Sequence, residues 1–177
     1  RVMDICQKHN LVLIEDTCES MGAKWSDKFC GSFGTVSTFS TYFSHHICTL
    51  EGGIVLTNDS SLDQIYRSMR SHGWARGFQN DADIFNEYTN HDPSFLFPHT
   101  GFNIRISEPQ SRIGIEQLKL LPSILDKRIL AGQEYLNRIN KSAQMKTYHI
   151  APEAKCVFFG LPLLLPENFN YEKTLKL

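Results

Sequence analysis

The sequence predicts a layered α/β fold, with helices packed on a sheet that contains parallel strands. Two observations support this prediction. Short apolar runs typical of strands alternate with helix-like segments, and the first run, residues 11–14, is continuously apolar, as in a strand buried on both faces of a parallel sheet. The chain has 177 residues, of which 41% are hydrophobic and 21% charged, enough for one sizeable core.

The first half of the chain predicts three strands and two helices. Residues 1–9 are interpreted as the end of a helix that Asn10 closes with a left-handed turn. Strands are predicted at 11–14, as an apolar run buried on both faces, at 36–41 and at 53–57. Apolar residues spaced i, i+3, i+4 and i+7 then predict a helix. They are Leu62, Ile65, Tyr66 and Met69.

The second half begins with residues 72–100, which lack a sustained hydrophobic period and predict a functional loop or a segment that reaches a partner. Ser107 and Gln110 have the spacing of a capping box and predict the start of a helix. A second, separate helix is predicted after Pro122, and the apolar residues 157–165 predict a strand.

Composition argues against several classes of protein. The formal net charge of −1, without a basic stripe, argues against a nucleic-acid binder. The apolar stretch 157–165 is far shorter than the roughly 20 residues that a membrane helix needs, so we expect no membrane protein. Five cysteines without CxxC spacing argue against a disulfide scaffold or a metal site and favour a reducing compartment. With no secretory signal at the start of the chain, we expect a cytoplasmic protein.

We interpret the chain as a fragment. It opens with Arg1 inside an amphipathic pattern formed by Val2, Ile5 and Cys6, and no terminating feature precedes Leu177.

Three features carry possible chemistry. Asp16 follows a predicted parallel strand, where a carboxylate can hold the protonated ring nitrogen of a cofactor or simply cap the next helix. Residues 31–41 combine glycines with Ser and Thr, as in a phosphate cradle or a Ser/Thr-rich edge strand. The adjacent His45 and His46 are suited to proton transfer, although structural histidines are common.

Five segments in this order resemble the sugar aminotransferase family of fold-type I pyridoxal phosphate enzymes (the DegT, DnrJ and StrS group). They read LIEDTCESMGA, GSFGTVSTFST, HHICTLEGGIVLTND, RSMRSHGW and GFNIRISEPQSRIGIEQLKLL. The resemblance implies a three-layer α/β/α domain with a mainly parallel sheet. It assigns residues 1–140 to the large cofactor-binding domain and 141–177 to the start of a truncated small domain.

The resemblance also assigns roles to individual residues. Asp16 matches the carboxylate that pairs with the pyridine nitrogen, Cys18 takes the place of a small residue against the ring, and Glu19 stands beside the ring hydroxyl. Ser40 matches a serine that binds the cofactor phosphate. Two further residues match groups that reach the phosphate of the neighbouring subunit, which implies a homodimer with shared active sites. They are Asn103 and Arg105.

One departure from the family pattern is decisive. Family aminotransferases carry a cofactor-binding lysine six residues before the Glu of a Glu-Gly-Gly turn, and here that position is His45. No lysine occurs between Lys28 and Lys119, so a small shift in register cannot supply one. Imidazole cannot form an imine with the cofactor aldehyde, but it can still transfer protons.

This replacement resembles the sugar 3-dehydratase branch of the family. The resemblance implies an enzyme that uses pyridoxamine 5′-phosphate to remove the C3 hydroxyl of a nucleotide-linked 4-keto-6-deoxyhexose. Glutamate then restores the amine from pyridoxal 5′-phosphate. His45 is the expected base, with His46 as its competitor. His72 is expected near the substrate, either in proton transfer and sugar binding or in a structural role.

Three alternatives stay open at this point. An ordinary nucleotide-sugar aminotransferase would need a lysine that this sequence lacks. An iron–sulfur 3-dehydrase of the same family would place a cysteine in the loop after Trp74, where none occurs. A cofactor-binding relic without activity would be expected to have lost some of the residues that contact the cofactor, but four of them are retained: Asp16, Ser40, Asn103 and Arg105. The sequence does not identify the nucleotide or the sugar.

Overall fold

The helices and strands follow the alternation expected of an α/β chain. A computed structural model describes residues 1–77, 86–142, 145–167 and 169. In chain order its elements are α1 (Val2–Lys8), β1 (Ile14–Asp16), β2 (Lys24–Trp25), β3 (Lys28–Phe29), β4 (Val36–Ser40), β5 (Gly53–Thr57), α2 (Ser60–Met69), α3 (Glu108–Asn140) and β6 (Ala154–Lys155). Two short 3₁₀ turns, Ala75–Gly77 and Pro93–Phe95, lie between α2 and α3.

The main sheet has the strand order β1-β4-β5. Strand β1 runs parallel to β4 and places Asp16 opposite Thr38. Strand β5 runs antiparallel to β4 and places Gly53 opposite Ser40. A mainly parallel sheet therefore describes the first pairing but not the second. The reason is that residues 41–52 form a compact turn, and a parallel pair would need a longer crossover.

A second small sheet joins the early chain to its tail. Strands β2 and β3 form a hairpin whose two turn residues, Ser26 and Asp27, have φ of 45° and 64°. Such positive values are typical of the tight turns that match strand twist. Strand β6 adds to β2 in antiparallel fashion and draws the tail against residues near Asp16 in sequence. The sequence analysis did not predict this sheet, since its strands have only two residues each.

The strand predicted at 11–14 is wrong in its position. The strand starts at Ile14, because its partner β4 starts opposite at Val36. Asn10 does adopt the expected left-handed conformation, with φ of 48°. Leu11 and Val12 are 57% and 73% exposed, so the described residues do not bury this run on both faces.

The two helices predicted around Pro122 are one helix of 33 residues, α3. Its start carries the expected capping box between Ser107 and Gln110. A proline inside a helix removes one backbone hydrogen bond and costs about 3 kcal/mol. Tertiary packing of the half of α3 that follows Pro122 compensates: Leu125 fills the space over Gly22, and a ring from the tail packs on Gly132.

The strand predicted at 157–165 is also wrong. The backbone turns at Phe158, whose φ of 52° is incompatible with a strand, and only Leu164 forms an isolated bridge, to Lys146. Burial accounts for only the start of the apolar pattern: Val157 and Phe158 belong to the core, whereas Leu163 and Leu164 are exposed. Part of the predicted 72–100 loop, residues 78–85, lies outside the described residues.

The core of the described chain combines a few apolar side chains with an unusual share of polar ones. The buried polar residues are Thr17, Ser37, Thr41, His46, Thr49 and Ser68. Four of them lie on β4 or in the turn that follows it. Within the described ranges, no helix combines the length and the apolar character needed to cross a membrane.

Candidate functional site

The carboxyl ends of β1 and β4 form one edge that carries Asp16, Cys18 and Thr38. The Cys18 thiol and backbone N–H both hydrogen-bond to the Asp16 carboxylate, the latter at 3.2 Å, and hold the pKa of Asp16 below its usual range. The Cys18 Sγ lies 3.8 Å from Thr38 Oγ1 on the neighbouring strand. Asp16 itself is exposed. The edge therefore presents an ionised carboxylate to an incoming group.

Ser40 extends this edge along β4. It lies two residues beyond Thr38, so both side chains point to the same face of the sheet. The backbone N–H of Tyr42 donates to Ser40 Oγ at 3.2 Å. This leaves the Ser40 hydroxyl hydrogen to donate to a ligand, as a phosphate-binding serine requires.

Glu15 builds the loop beneath this edge. Its Oε1 accepts hydrogen bonds from the backbone N–H groups of Phe33 and Gly34, both at 2.6 Å, and its Oε2 accepts one from Gly31 at 2.8 Å. The sequence analysis assigned no role to Glu15. An acidic residue at a strand end, followed by a glycine-rich loop, was the available signal.

The histidine turn, residues 41–52, is held by buried side-chain hydrogen bonds. The hydroxyls of Thr41 and Thr49 lie 2.6 Å apart, and a Cβ on Gly52 would crowd both of them. Helix α3 supports the turn from outside, since Gln110 Nε2 donates to the Glu51 carbonyl at 2.9 Å. The turn is therefore fixed at its ends and against the long helix.

His46 lies at the centre of the histidine turn. Only 3% of its surface is exposed, and neither ring nitrogen has a hydrogen-bond partner within the described residues. Burial, followed by the nearby charge of Arg128, lowers the pKa of His46 to about 4. The imidazole is therefore neutral near pH 7.

His45 is half-buried beside it. Its Nδ1 is buried and has no hydrogen-bond partner in the described part of the chain. The ring instead packs between aromatic groups, with centroids 6.0 Å from Tyr42 and 5.0 Å from Phe159. Phe159 also contacts His46, at 5.9 Å. The sequence analysis assigned no role to Phe159.

A cavity of about 570 Å³ adjoins this site, and Glu19 lines it together with Phe159. Its far side carries Tyr148 and Cys156, whose Oη and Sγ atoms lie 3.6 Å apart. Burial, then the contact with Cys156, raises the pKa of Tyr148 to about 12. The structure therefore brings Glu19 to the same cavity as Phe159, whose ring contacts His45.

A second group of predicted residues lies on two segments joined by backbone hydrogen bonds, residues 70–73 and 101–104, which we call the His72 ladder. His72 and Asn103 are part of the ladder, and Arg105 directly follows it. His72 has a φ of 68°, and its N–H donates to the Phe102 carbonyl at 2.8 Å. The N–H of Ile104 donates to the Arg70 carbonyl at 3.1 Å.

The side chains of His72, Asn103 and Arg105 are exposed. Gly73 is obligatory in this ladder, because any Cβ there would overlap the His99 carbonyl. In the part of the chain that the structure describes, no hydrogen bond or ion pair joins these three side chains to the edge around Asp16. The predicted residues therefore fall into two groups.

The donor set does not form a metal centre within the described ranges, where no three His, Cys, Asp or Glu side chains come together as ligands. Its chemistry fits a phosphorylated pyridine cofactor: a carboxylate for a ring nitrogen, a serine hydroxyl for a phosphate and two adjacent imidazoles for proton transfer. All five cysteines are free and half-buried.

Comparisons with known proteins agree with this arrangement. A model of the DegT/DnrJ/EryC1/StrS aminotransferase family matches residues 1–176. The chain is 43% identical over 175 residues to the GDP-4-keto-6-deoxy-D-mannose 3-dehydratase of Yersinia pseudotuberculosis, covering 94% of this chain and 42% of that protein. It is 34% identical over 161 residues to the enzyme of the same name from Escherichia coli O55:H7, covering 90% of this chain and 41% of that one.

A solved structure confirms the fold. The E. coli GDP-4-keto-6-deoxy-D-mannose-3-dehydratase with bound hydrated PLP matches with a TM-score of 0.85 at 31% identity, covering 98% of this chain and 45% of that chain. The chain thus spans less than half the length of these relatives.

Proposed function

The chain belongs to the DegT/DnrJ/EryC1/StrS aminotransferase family, and we propose that the protein containing it is a sugar 3-dehydratase. Its substrate is a nucleotide-linked 4-keto-6-deoxyhexose, and its product has lost the C3 hydroxyl. Pyridoxal 5′-phosphate in its pyridoxamine form is the cofactor, with glutamate as amino donor. The relatives named above act on a GDP-linked sugar, which makes GDP the first nucleotide to test.

The single observation that supports this proposal is His45 at the position of the family's lysine. It sits in a turn fixed by Thr41, Thr49 and Gln110, and no lysine lies between Lys28 and Lys119. A family aminotransferase holds its cofactor through a lysine amine, which this turn does not offer. Proton transfer without covalent attachment is what the imidazole can perform.

The edge around Asp16 fits the cofactor. When bound, pyridoxamine phosphate would supply an amine for the sugar ketone and a conjugated ring that takes up the electron pair left by proton removal and returns it as the C3 hydroxyl departs. Asp16, kept ionised by Cys18, would hold a proton on the ring nitrogen. Ser40 would donate a hydrogen bond to the phosphate, and the Cys18 side chain would lie against the ring.

Proton transfer falls to His45. Its Nδ1 is buried and makes no hydrogen bond to the residues that the structure describes, so Nε2 is the nitrogen we assign to the exchange. His46 is too deeply buried to serve as the competing base, and its low pKa makes it a weak one. Glu19, on the cavity wall, would face the cofactor's ring hydroxyl. His72 would assist at the sugar.

The remaining parts of the proposal concern assembly. Asn103 and Arg105 project from the His72 ladder without partners in the described chain, which suits side chains that reach the phosphate of a neighbouring subunit in a homodimer. Residues 1–140 would belong to the large domain and 141–177 to the start of the small one. We place the protein in the cytoplasm, where nucleotide sugars and glutamate occur together.

The test uses the complete protein with pyridoxal phosphate, glutamate and GDP-4-keto-6-deoxymannose, followed by mass spectrometry of the sugar nucleotide. We expect a product lighter by one oxygen, with release of ammonia. An amino sugar would identify an aminotransferase, and unchanged substrate would reject a GDP-linked sugar as the substrate. Borohydride treatment should trap no cofactor on residues of this chain.

A further inference from the structure

Arg128 ties the long helix to the turn in the tail. Its Nη1 donates to the Phe158 carbonyl at 2.9 Å and to the Phe159 carbonyl at 3.4 Å. These acceptors lie 30 and 31 residues further along the chain. A charged donor to a carbonyl is stronger than a neutral one, and Arg128 is half-buried, which reduces competition from water.

The tail turn needs such a hold. Phe158 has a φ of 52°, a conformation that costs a residue with a side chain about 1 kcal/mol or more. Its ring is only 8% exposed and packs on Gly132, where a Cβ would overlap it. Arg128 lies one helical turn before Gly132. Two positions on α3 therefore contact the same turn: Arg128 hydrogen-bonds to its backbone, and Gly132 packs against the ring of Phe158.

The same turn places the ring of Phe159 in contact with His45 and His46. The ring of Phe159 lies 5.0 Å from that of His45 and 5.9 Å from that of His46, centroid to centroid. Because the buried Nδ1 of His45 makes no hydrogen bond to the described residues, aromatic packing is what orients its imidazole there. Of the two aromatic neighbours, Phe159 is the closer.

We propose that Arg128 is a positioning residue for His45, which it orients through the backbone of the 158–159 turn and the ring of Phe159. This inference rests on the proposed function for its catalytic consequence. Its geometric part, the coupling of Arg128 to His45, stands apart from the reaction. Arg128 makes no hydrogen bond to His45 within the described residues. Its charge also acts on the neighbouring His46, so a variant of Phe159 that keeps the charge is needed to isolate the route through the ring.

The experiment compares Arg128→Met with Arg138→Met in the complete protein. Arg138 lies on the same helix but is exposed, and within the described residues its ion pair is with Glu134 alone, so it is the matched control. The first readout is the rate at which diethyl pyrocarbonate acylates His45, measured by peptide mass spectrometry, with the exposed His9 and His91 as internal references. The second readout is kcat and KM for dehydration.

We expect diethyl pyrocarbonate to acylate His45 several times faster in Arg128→Met than in the wild type. The substitution should also lower kcat about 10- to 100-fold with little change in KM, because a misplaced base slows the chemical step. Arg128→Lys should restore part of the rate. Phe159→Leu, which keeps the Arg128 acceptors but removes the ring, should reproduce the effect and covers the case in which Arg128→Met does not fold.

Unchanged acylation of His45 in Arg128→Met or in Phe159→Leu would overturn the inference, even if unfolding became easier. A wild-type protein that performs no dehydration would reject the proposed function. In that case the acylation rates would still decide whether Arg128 positions His45.

Discussion

The histidine turn and the His72 ladder are built in opposite ways. The histidine turn is held by buried side chains, with Thr41 bonded to Thr49 and with Gln110 reaching in from α3. The His72 ladder is held by backbone hydrogen bonds, such as that from His72 to Phe102, and its functional side chains face outward.

The difference predicts how far the fold of each region depends on the side chains that carry its chemistry. In the histidine turn, a substitution disturbs both the fold and the chemistry, because the same side chains serve both. In the His72 ladder, the backbone carries the fold and the exposed side chains are free for a ligand or a second subunit. Four substitutions test this contrast, from the largest expected effect to the smallest.

The largest effect is expected from His45→Asn. Removing a positioned general base costs on the order of 10² to 10⁴ in rate, and asparagine keeps a polar group at the position of Nδ1 but none at that of Nε2. Initial rates of sugar dehydration, followed by mass spectrometry, measure the loss. His91→Asn, an exposed histidine outside the site, is the control. Full activity in His45→Asn would show that another group is the base.

A second effect concerns the pH dependence of stability through His46. Its pKa is about 4 in the folded protein against 6.5 for an unperturbed imidazole, so the unfolded chain binds more protons between these values. The stabilising contribution is complete above about pH 6.5 and falls by roughly 3 kcal/mol as the pH drops toward 4.

Urea unfolding of the wild type and of His46→Gln, at about pH 7.5 and about pH 4.5, measures this loss. The variant should lose less stability on acidification than the wild type, because glutamine does not titrate. Equal losses in the two proteins would contradict a buried neutral His46.

A smaller effect is expected from Glu15→Gln. The glutamine amide has one acceptor oxygen, so either Gly31 or the pair Phe33 and Gly34 would face an NH₂ group instead of a carboxylate oxygen. Loss of charged, partly buried hydrogen bonds should lower the free energy of unfolding by about 1 to 3 kcal/mol. Glu153→Gln is the matched control, since Glu153 is exposed. An equal change in both variants would mean that the Glu15 carboxylate does not hold the loop.

The sequence predicted best where local signals and tertiary structure agree. The strand at Gly53–Thr57, the capping box at Ser107 and the left-handed Asn10 were all confirmed. Each depends on a short segment: an apolar run, a capping pair or one backbone conformation. The sequence also placed Asp16 at the carboxyl end of a parallel strand, and the parallel pairing of β1 with β4 confirms that position.

It failed where distant contacts override local preference. Pro122 does not end α3, because the residues that follow it are held by distant parts of the chain. Leu125 packs against Gly22, and Gly132 packs against the ring of Phe158. The grip of Arg128 on the 158–159 turn joins residues 30 positions apart, and no local pattern marks it. The role of Glu15 is likewise visible only once the 31–34 loop folds back onto β1.

The smallest effect on stability is expected in the His72 ladder region, from Arg105→Ala. Arg105 is exposed and makes no ion pair within the described residues, so its loss should change the free energy of unfolding by no more than about 0.5 kcal/mol. Dehydration should nevertheless fall if Arg105 binds the phosphate of a neighbouring subunit. A loss of stability of more than about 1 kcal/mol would contradict a ladder whose fold depends on its backbone and not on its exposed side chains.

Mixing subunits shows where Arg105 acts. If Ser40 and Arg105 complete one site from two subunits, an equal mixture of inactive Ser40→Ala and Arg105→Ala proteins forms heterodimers with one intact site each. Activity should then return to about a quarter of the wild type. The control mixes Ser40→Ala with Asp16→Asn: both residues lie on the same edge of one subunit, so every site stays defective and no activity should return. Recovery in the first mixture alone places Arg105 across the interface, whereas none in either places it in its own subunit's site.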